Sequence, residues 1–209
     1  MTEMRLLDLF SGTGSVAMKA REMGYETTSL DIVDGADICC DIMKWDYKAY
    51  DKGYFDIIWA SPPCDTFSIR RRSIIGRNGH TKESILNDMI ERGLPLLFKT
   101  REIIEYFNPK LWFIENPQTG LMKNYFESEI KFYDVDYCKY TDWGYRKRTR
   151  IWYGGEIEPK FIPRVCNKDC GYVINNRHVK NVSDYGGGNN KAQRYKIPEQ
   201  IVEELLLID

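Results

Sequence analysis

The sequence has no apolar run of the roughly 18 residues that cross a bilayer, and Met1–Asp8 contains no secretory apolar core. The expectation is an unsecreted, cytoplasmic protein with no membrane partner. It has no excess of one charge either. Thirty basic side chains stand against 31 acidic ones, leaving a net charge of −1. Overall charge therefore points to no nucleic acid, and only local clusters can argue for one. Cysteine is sparse and scattered, at Cys39, Cys40, Cys64, Cys138, Cys166 and Cys170. That placement is not the framework of a small disulfide-stapled domain, so we expect a reducing compartment and free thiols. Repeats and low-complexity blocks are absent. With 43% hydrophobic and 29% charged residues the chain is neither disordered nor collagen-like. Its 209 residues predict about one domain.

What is present alternates strand and helix. Arg5–Phe10 reads as an apolar strand, Ser11–Ser15 as a glycine turn, and Val16–Met23 as a helix stopped by Gly24. Glu26–Asp31 and Phe55–Ala60 are further strands. Lys82–Phe107 is mostly helical, with a break expected at Gly93-Leu94-Pro95. Leu111–Ile114 and Arg150–Tyr153 are again apolar strands. The pattern predicts an α/β fold with a doubly wound, mostly parallel sheet. After Gly154-Gly155 the texture becomes irregular, with Gly186–Asn190 as a flexible stretch. Ile197–Ile208 then returns to an amphipathic helix.

Five segments could carry chemistry. Asp8-Leu9-Phe10-Ser11-Gly12-Thr13-Gly14-Ser15 puts a glycine turn at the carboxyl end of the first strand, where doubly wound sheets bind ligands. No Gly-Lys-Ser/Thr follows, which excludes a phosphate loop. Asp31 ends the second strand, where an acid suits a ribose hydroxyl pair, and Asp41 follows in a loop. Ser61-Pro62-Pro63-Cys64 delivers a cysteine from a hydrophobic strand into a stiffened loop, a poor place for core packing. Trp112-Phe113-Ile114-Glu115-Asn116-Pro117 ends a strand in an acid, which favours a partly buried carboxyl with a raised pKa. Arg146, Arg148 and Arg150 share one face if they enter a strand. With Arg70, Arg71, Arg72, Arg77 and Lys82 they would make a basic surface beside Cys64, suited to a phosphate backbone. Cys166-x3-Cys170 with His178 offers three neighbouring ligands at a spacing untypical of zinc, so no metal is expected.

In this order the elements from Arg5 to about Tyr153 resemble the DNA (cytosine-5)-methyltransferase family. The Pro63-Cys64 element with Thr66-Phe67-Ser68 is the most specific, with Asp8-Leu9-Phe10-x-Gly12-x-Gly14 before it and Glu115-Asn116 after it. The resemblance implies a Rossmann-like fold and S-adenosylmethionine as cofactor. It implies that Phe10, Gly12 and Gly14 cradle that cofactor, with Pro63 bordering it. Asp31 would hold its ribose, and Asp41 and Ile42 its adenine. Cys64 would be the nucleophile and Glu115 would engage the base, with Arg148 and Arg150 supporting both. Double-stranded DNA is the implied partner, met by a monomer, and Ser68–His80 would be a mobile loop closing over the flipped base.

The implied organisation is a catalytic domain over 1–155, a small target-recognition-like insert over 156–195, and a helix packing back over 196–209. Asp65, Ser15, Pro117 and Arg146 stand where the family has other residues. The short insert implies short or relaxed sequence specificity. Residue usage rich in Lys, Asn, Ile and Tyr hints at an AT-rich viral or bacterial genome, so the expected setting is a bacterial or phage-infected cell. Three other readings stay open: RNA as substrate, transfer to an exocyclic amine, and a non-catalytic binding module. Cys64 argues against the second, because amine-directed relatives carry an aromatic residue after Pro-Pro.

Overall fold

The computed structural model describes residues 4–182 and 188–208. Part of the Gly186–Asn190 stretch read as flexible therefore lies outside the described residues. Five strands run parallel: β1 (Arg5–Leu9), β2 (Glu26–Asp31), β3 (Ile38–Cys39), β4 (Ile57–Ala60) and β5 (Leu111–Pro117). Two antiparallel strands, β6 (Lys131–Asp136) and β7 (Arg148–Gly155), complete a seven-stranded sheet in the order β3-β2-β1-β4-β5-β7-β6. The order reverses between β1 and β4, which sets the ligand crevice outside the carboxyl ends of those strands. A separate hairpin joins β8 (Val173–Ile174) to β9 (Arg177–His178).

The central strands are apolar on both faces because both are covered. Along β1, β4, β5 and β7 the side chains alternate between two cores. Leu6, Ile57, Trp59, Phe113, Ile151 and Tyr153 point to one, beneath α1 (Ser15–Glu22) and α4 (Glu199–Leu206). Leu7, Ile58, Ala60, Ile114 and Trp152 point to the other, beneath α3 (Leu94–Phe107). Ile201, Val202, Leu205 and Leu206 of α4 are all buried, and the Tyr25 hydroxyl donates to the Leu206 carbonyl at 2.6 Å.

The break expected at Gly93-Leu94-Pro95 does not occur. α2 (Lys82–Asp88) passes through a π-turn over Met89–Gly93 straight into α3. Pro95 follows directly on the π-turn, whose wider winding accommodates a ring and a missing N–H that a regular α-helix interior would not. Gly93 is needed because a Cβ there would come within 2.2 Å of the Thr66 hydroxyl. The wide turn and the glycine let the helix lie directly on the loop that follows Cys64.

A candidate active site at the carboxyl edge of the sheet

β1, β2, β4 and β5 all end at one edge, around a cavity of about 920 Å³. Its lining includes Phe10, Gly12, Asp31, Asp41 and Ile42 on one side. Pro63, Cys64, Glu115, Asn116 and Arg148 lie on the other. The volume is at the upper end for small-molecule sites.

The first turn is built by backbone conformation. Phe10 and Gly12 both have positive φ, at 59° and 49°, so the chain folds back tightly at the end of β1. The Gly12 amide donates to Asp31 Oδ2 at 2.8 Å and the Val33 amide to Asp31 Oδ1 at 3.1 Å. Those bonds aim the carboxylate and leave lone pairs for a diol. Ile32 and Val33 are 70% and 49% exposed on the same rim, an apolar shelf absent from the sequence reading. Asp41 is set by its own turn, accepting from the Met43 amide at 3.0 Å. Gly14 does not line the cavity. It caps α1 in the left-handed region, at φ 73°. Behind the turn Asp8 is fully buried, and the Ala17 amide donates to it at 3.1 Å. Burial pushes its carboxyl up to about 8, against the pull of that amide.

On the other side, Asn116 ties the ends of β4 and β5 together, its Nδ2 donating to the Pro62 carbonyl at 2.8 Å. Glu115 is buried, and both of its partners meet Oε1. The Tyr137 hydroxyl donates to it at 3.1 Å, and Lys147 Nζ lies 3.5 Å away. The same ammonium sits 4.8 Å from the Tyr137 ring centroid and 3.3 Å from the Arg194 carbonyl. Cys64 is half-buried. Burial pushes its thiol up, Lys147 draws it down, and Glu115 and Asp65 push it up again. The net direction is up, so the protein with nothing bound holds a thiol.

The arginines behave differently from the sequence expectation. Cross-strand register puts Arg148 opposite Asp136 and Arg150 opposite Asp134. Each pair is bidentate, at 3.0 and 2.6 Å for Arg148 and 2.7 and 2.7 Å for Arg150. Arg146 reaches the same Asp136 at 4.0 Å. The three guanidiniums do share a face, and two aspartates of β6 offset two of the three charges. Arg148 still lines the cavity, but Arg150 does not; it lies over the Phe132 ring. Lys147, between Arg146 and Arg148 and just before β7, lines the same cavity and is a cation beside Cys64 and Glu115.

Ser68–His80 starts as a short helical turn over Ile69–Ile74, and Ile69, Arg70, Arg71 and Ile74 line the cavity. Arg71 is anchored by Asp88 of α2. Arg70, Arg72, Arg77 and Lys82 are exposed, and of these Arg70 lines the cavity.

This geometry can be set beside known proteins. The family model described as C-5 cytosine-specific DNA methylase matches residues 4–152. The chain belongs to that family. A frog virus 3 (isolate Goorha) protein named "Probable DNA (cytosine-5)-methyltransferase" is 45% identical over 97% of this chain and 99% of its own length. Membership makes the chain a transferase of the DNA (cytosine-5)-methyltransferase type. It implies DNA as substrate and S-adenosylmethionine use. Among solved structures, the Entamoeba histolytica methyltransferase EhMeth matches with a TM-score of 0.53 at 17% identity, over 90% of this chain. A Spodoptera frugiperda DNMT2 mutant matches at 0.50 and 16%, over 78% of this chain. The chain spans 61% and 53% of those two proteins, and at such identities the likeness concerns the fold. No helix among the described residues is long and apolar enough to cross a membrane.

Proposed function

We propose that this chain methylates C5 of cytosine in double-stranded DNA through a covalent adduct of Cys64 with C6 of the base. The observation that carries the reading is that Cys64 and Glu115 line the same cavity as the Gly12–Asp31 turn. A nucleophile, an acid facing the base and a cofactor cradle thus converge on one space.

The cradle fits S-adenosylmethionine. A side chain at Gly12 would need a left-handed backbone that L residues rarely adopt. The Asp31 carboxylate is aimed for a ribose, and Ile32, Val33 and Ile42 offer an apolar bed for a planar base. When bound, the cofactor supplies an electrophilic methyl group at a sulfonium. Asp31 and Asp41 hold and orient it, and Pro63 separates its side of the cavity from the base.

C5 of cytosine is a weak nucleophile. Bond formation between the Cys64 sulfur and C6 makes C5 enamine-like and able to take a methyl group. The thiol proton must first leave, since thiolate is the attacking form. Lys147 favours that loss. Negative charge then builds on the ring, and a proton shared between N3 of the bound base and Glu115, which Tyr137 positions, offsets it. After transfer a water molecule takes the C5 proton, the pair of that C–H bond restores the C5=C6 double bond, the S–C6 bond breaks and the thiolate returns.

The reacting base must leave the duplex stack to reach Cys64. Exposed Arg70, Arg72, Arg77 and Lys82 suit the flanking phosphates. Ser68–His80 closes over the base in this reading. We take the working unit to be a monomer in the cytoplasm of an infected cell; the viral source of the relative supports the infected cell alone. We assign residues 1–155 to catalysis, 156–195 to target contacts, and 196–209 to a helix bracing the catalytic domain.

The test is incubation with S-adenosylmethionine and either DNA or RNA, followed by nucleoside mass spectrometry. 5-Methylcytosine from DNA, absent with Cys64→Ala, is expected. Methylation of RNA alone, or of an exocyclic amine, would overturn the substrate assignment. Cofactor and DNA binding without any product would favour a binding module.

A further inference from the structure

The sequence reading found three neighbouring ligands at Cys166, Cys170 and His178. The fold brings a fourth from far upstream. Cys138 lies in the helical turn Tyr137–Lys139 that follows β6. The ligating atoms of Cys138, Cys166, Cys170 and His178 all lie within 4.8 Å of one another. His178 Nε2 is 3.5 Å from the Cys166 sulfur and 3.4 Å from the Cys170 sulfur. A tetrahedral zinc with Zn–S near 2.3 Å and Zn–N near 2.0 Å has S···N edges of about 3.5 Å and S···S edges of about 3.8 Å. The two S···N distances fit those edges, and the widest pair closes with about 1 Å of side-chain movement.

We propose that Cys138, Cys166, Cys170 and His178 bind a structural zinc ion. All four tetrahedral positions are filled by protein, which is the closed arrangement of a structural rather than a catalytic site. On binding, three thiol protons pass to solvent and neutral His178 coordinates through Nε2.

The surroundings support this independently of the reaction. Lys168, between the two cysteines, has φ 71°, and its amide donates to the Cys166 sulfur at 3.3 Å. Such amide bonds orient a metal-bound thiolate and offset its charge. Asn175 and Asn176 both have positive φ, making the tight turn that presents His178 on β9. An ion pair at 3.0 Å, Lys139 to Asp169, already joins the two ligand-bearing segments. The insert also needs such a staple. Between Glu156 and Lys180 only Pro159, Phe161 and Cys166 are buried, too little for a core of its own. The site borders the catalytic one, because Tyr137, whose hydroxyl holds Glu115, adjoins Cys138. Zinc would thus fix both the insert and one wall of the cavity.

The test is metal analysis of the untagged full chain purified without chelator. About one zinc per chain is expected, with tetrahedral thiolate absorption after cobalt exchange. The partly exposed ligands should be the safest to change. Cys170→Ala and His178→Ala should each weaken zinc at least about 100-fold. In the wild type, a chelator should make Cys138 and Cys166 newly reactive to alkylation. A folded wild-type protein that neither contains nor takes up zinc or cobalt would overturn the proposal. So would full zinc retention in both variants.

Discussion

Replacing Lys147 by Met removes the ammonium beside Cys64 while keeping most of the aliphatic stem. A unit charge about 6–8 Å from a thiolate is worth about 2–3 kcal/mol at an effective dielectric near 20. Lys147 shares its charge with Glu115 at 3.5 Å, so its hold on the thiolate is weaker than that gross figure. About half of it, roughly 1.4 kcal/mol, is tenfold in thiolate fraction. Alkylation of Cys64 at fixed pH, resolved by peptide mass spectrometry from the exposed cysteines, should therefore slow about tenfold in Lys147→Met. It should stay within about twofold in Arg150→Met, because Asp134 neutralises that guanidinium. Methyl transfer should fall at least as far as alkylation in Lys147→Met, since Glu115 loses a partner as well. An unchanged alkylation rate in Lys147→Met together with a slowed one in Arg150→Met would refute the assignment and restore the arginines.

Tyr137→Phe deletes one donor to Glu115, and a hydrogen bond to a charged group is worth about 1.5–3 kcal/mol. We expect kcat/KM to fall at least about tenfold, with cofactor affinity measured by calorimetry unchanged. Asp136→Ala strips Arg148, Arg146 and the Cys166 amide of a fully buried acceptor, and should cost about 3 kcal/mol or more by urea unfolding. Asp134→Ala, a more exposed partner, should cost about 1 kcal/mol. Asp8 titrates near 8 when folded against 3.8 ordinarily. Its contribution to stability is therefore complete below about pH 4 and is lost as pH rises through 8. Asp8→Asn keeps an oxygen for the Ala17 amide without ionising. Its melting temperature should gain on wild type as pH rises from 4 to 9, and a constant difference would contradict the assigned burial.

The parts of the fold legible in sequence were those set by burial. β1, β4 and β5 are short apolar runs because both faces of each are covered, and Gly12 marks a turn that its positive φ requires. β6 was missed. Its Lys-Phe-Tyr-Asp-Val-Asp mixes an exposed start with acids whose purpose appears only beside β7. The same pairing was hidden in the basic run: sequence put three arginines on one face but did not show Asp134 and Asp136 opposite them. Lys147 was lost among its neighbours because sequence does not show which cation of a basic run meets Glu115, a contact made across the sheet. Tyr137 and Cys138 carried no local signal, since their partners Glu115 and Cys166 meet them only through the sheet. Gly93 read as a breaker because its reason is a contact with Thr66, remote in sequence.

The central claim is the bond between Cys64 and the cytosine ring. Cytosine with fluorine at C5 can be attacked at C6 and methylated, but it has no proton at C5 to lose, so the adduct cannot resolve. A short duplex carrying 5-fluorocytosine, incubated with the protein and S-adenosylmethionine, should yield a denaturation-stable complex. Proteolysis and mass spectrometry should place the cross-link on Cys64 with one added methyl group. A complex formed equally by Cys64→Ala, or methylated DNA from wild type with no adduct on Cys64, would contradict the account.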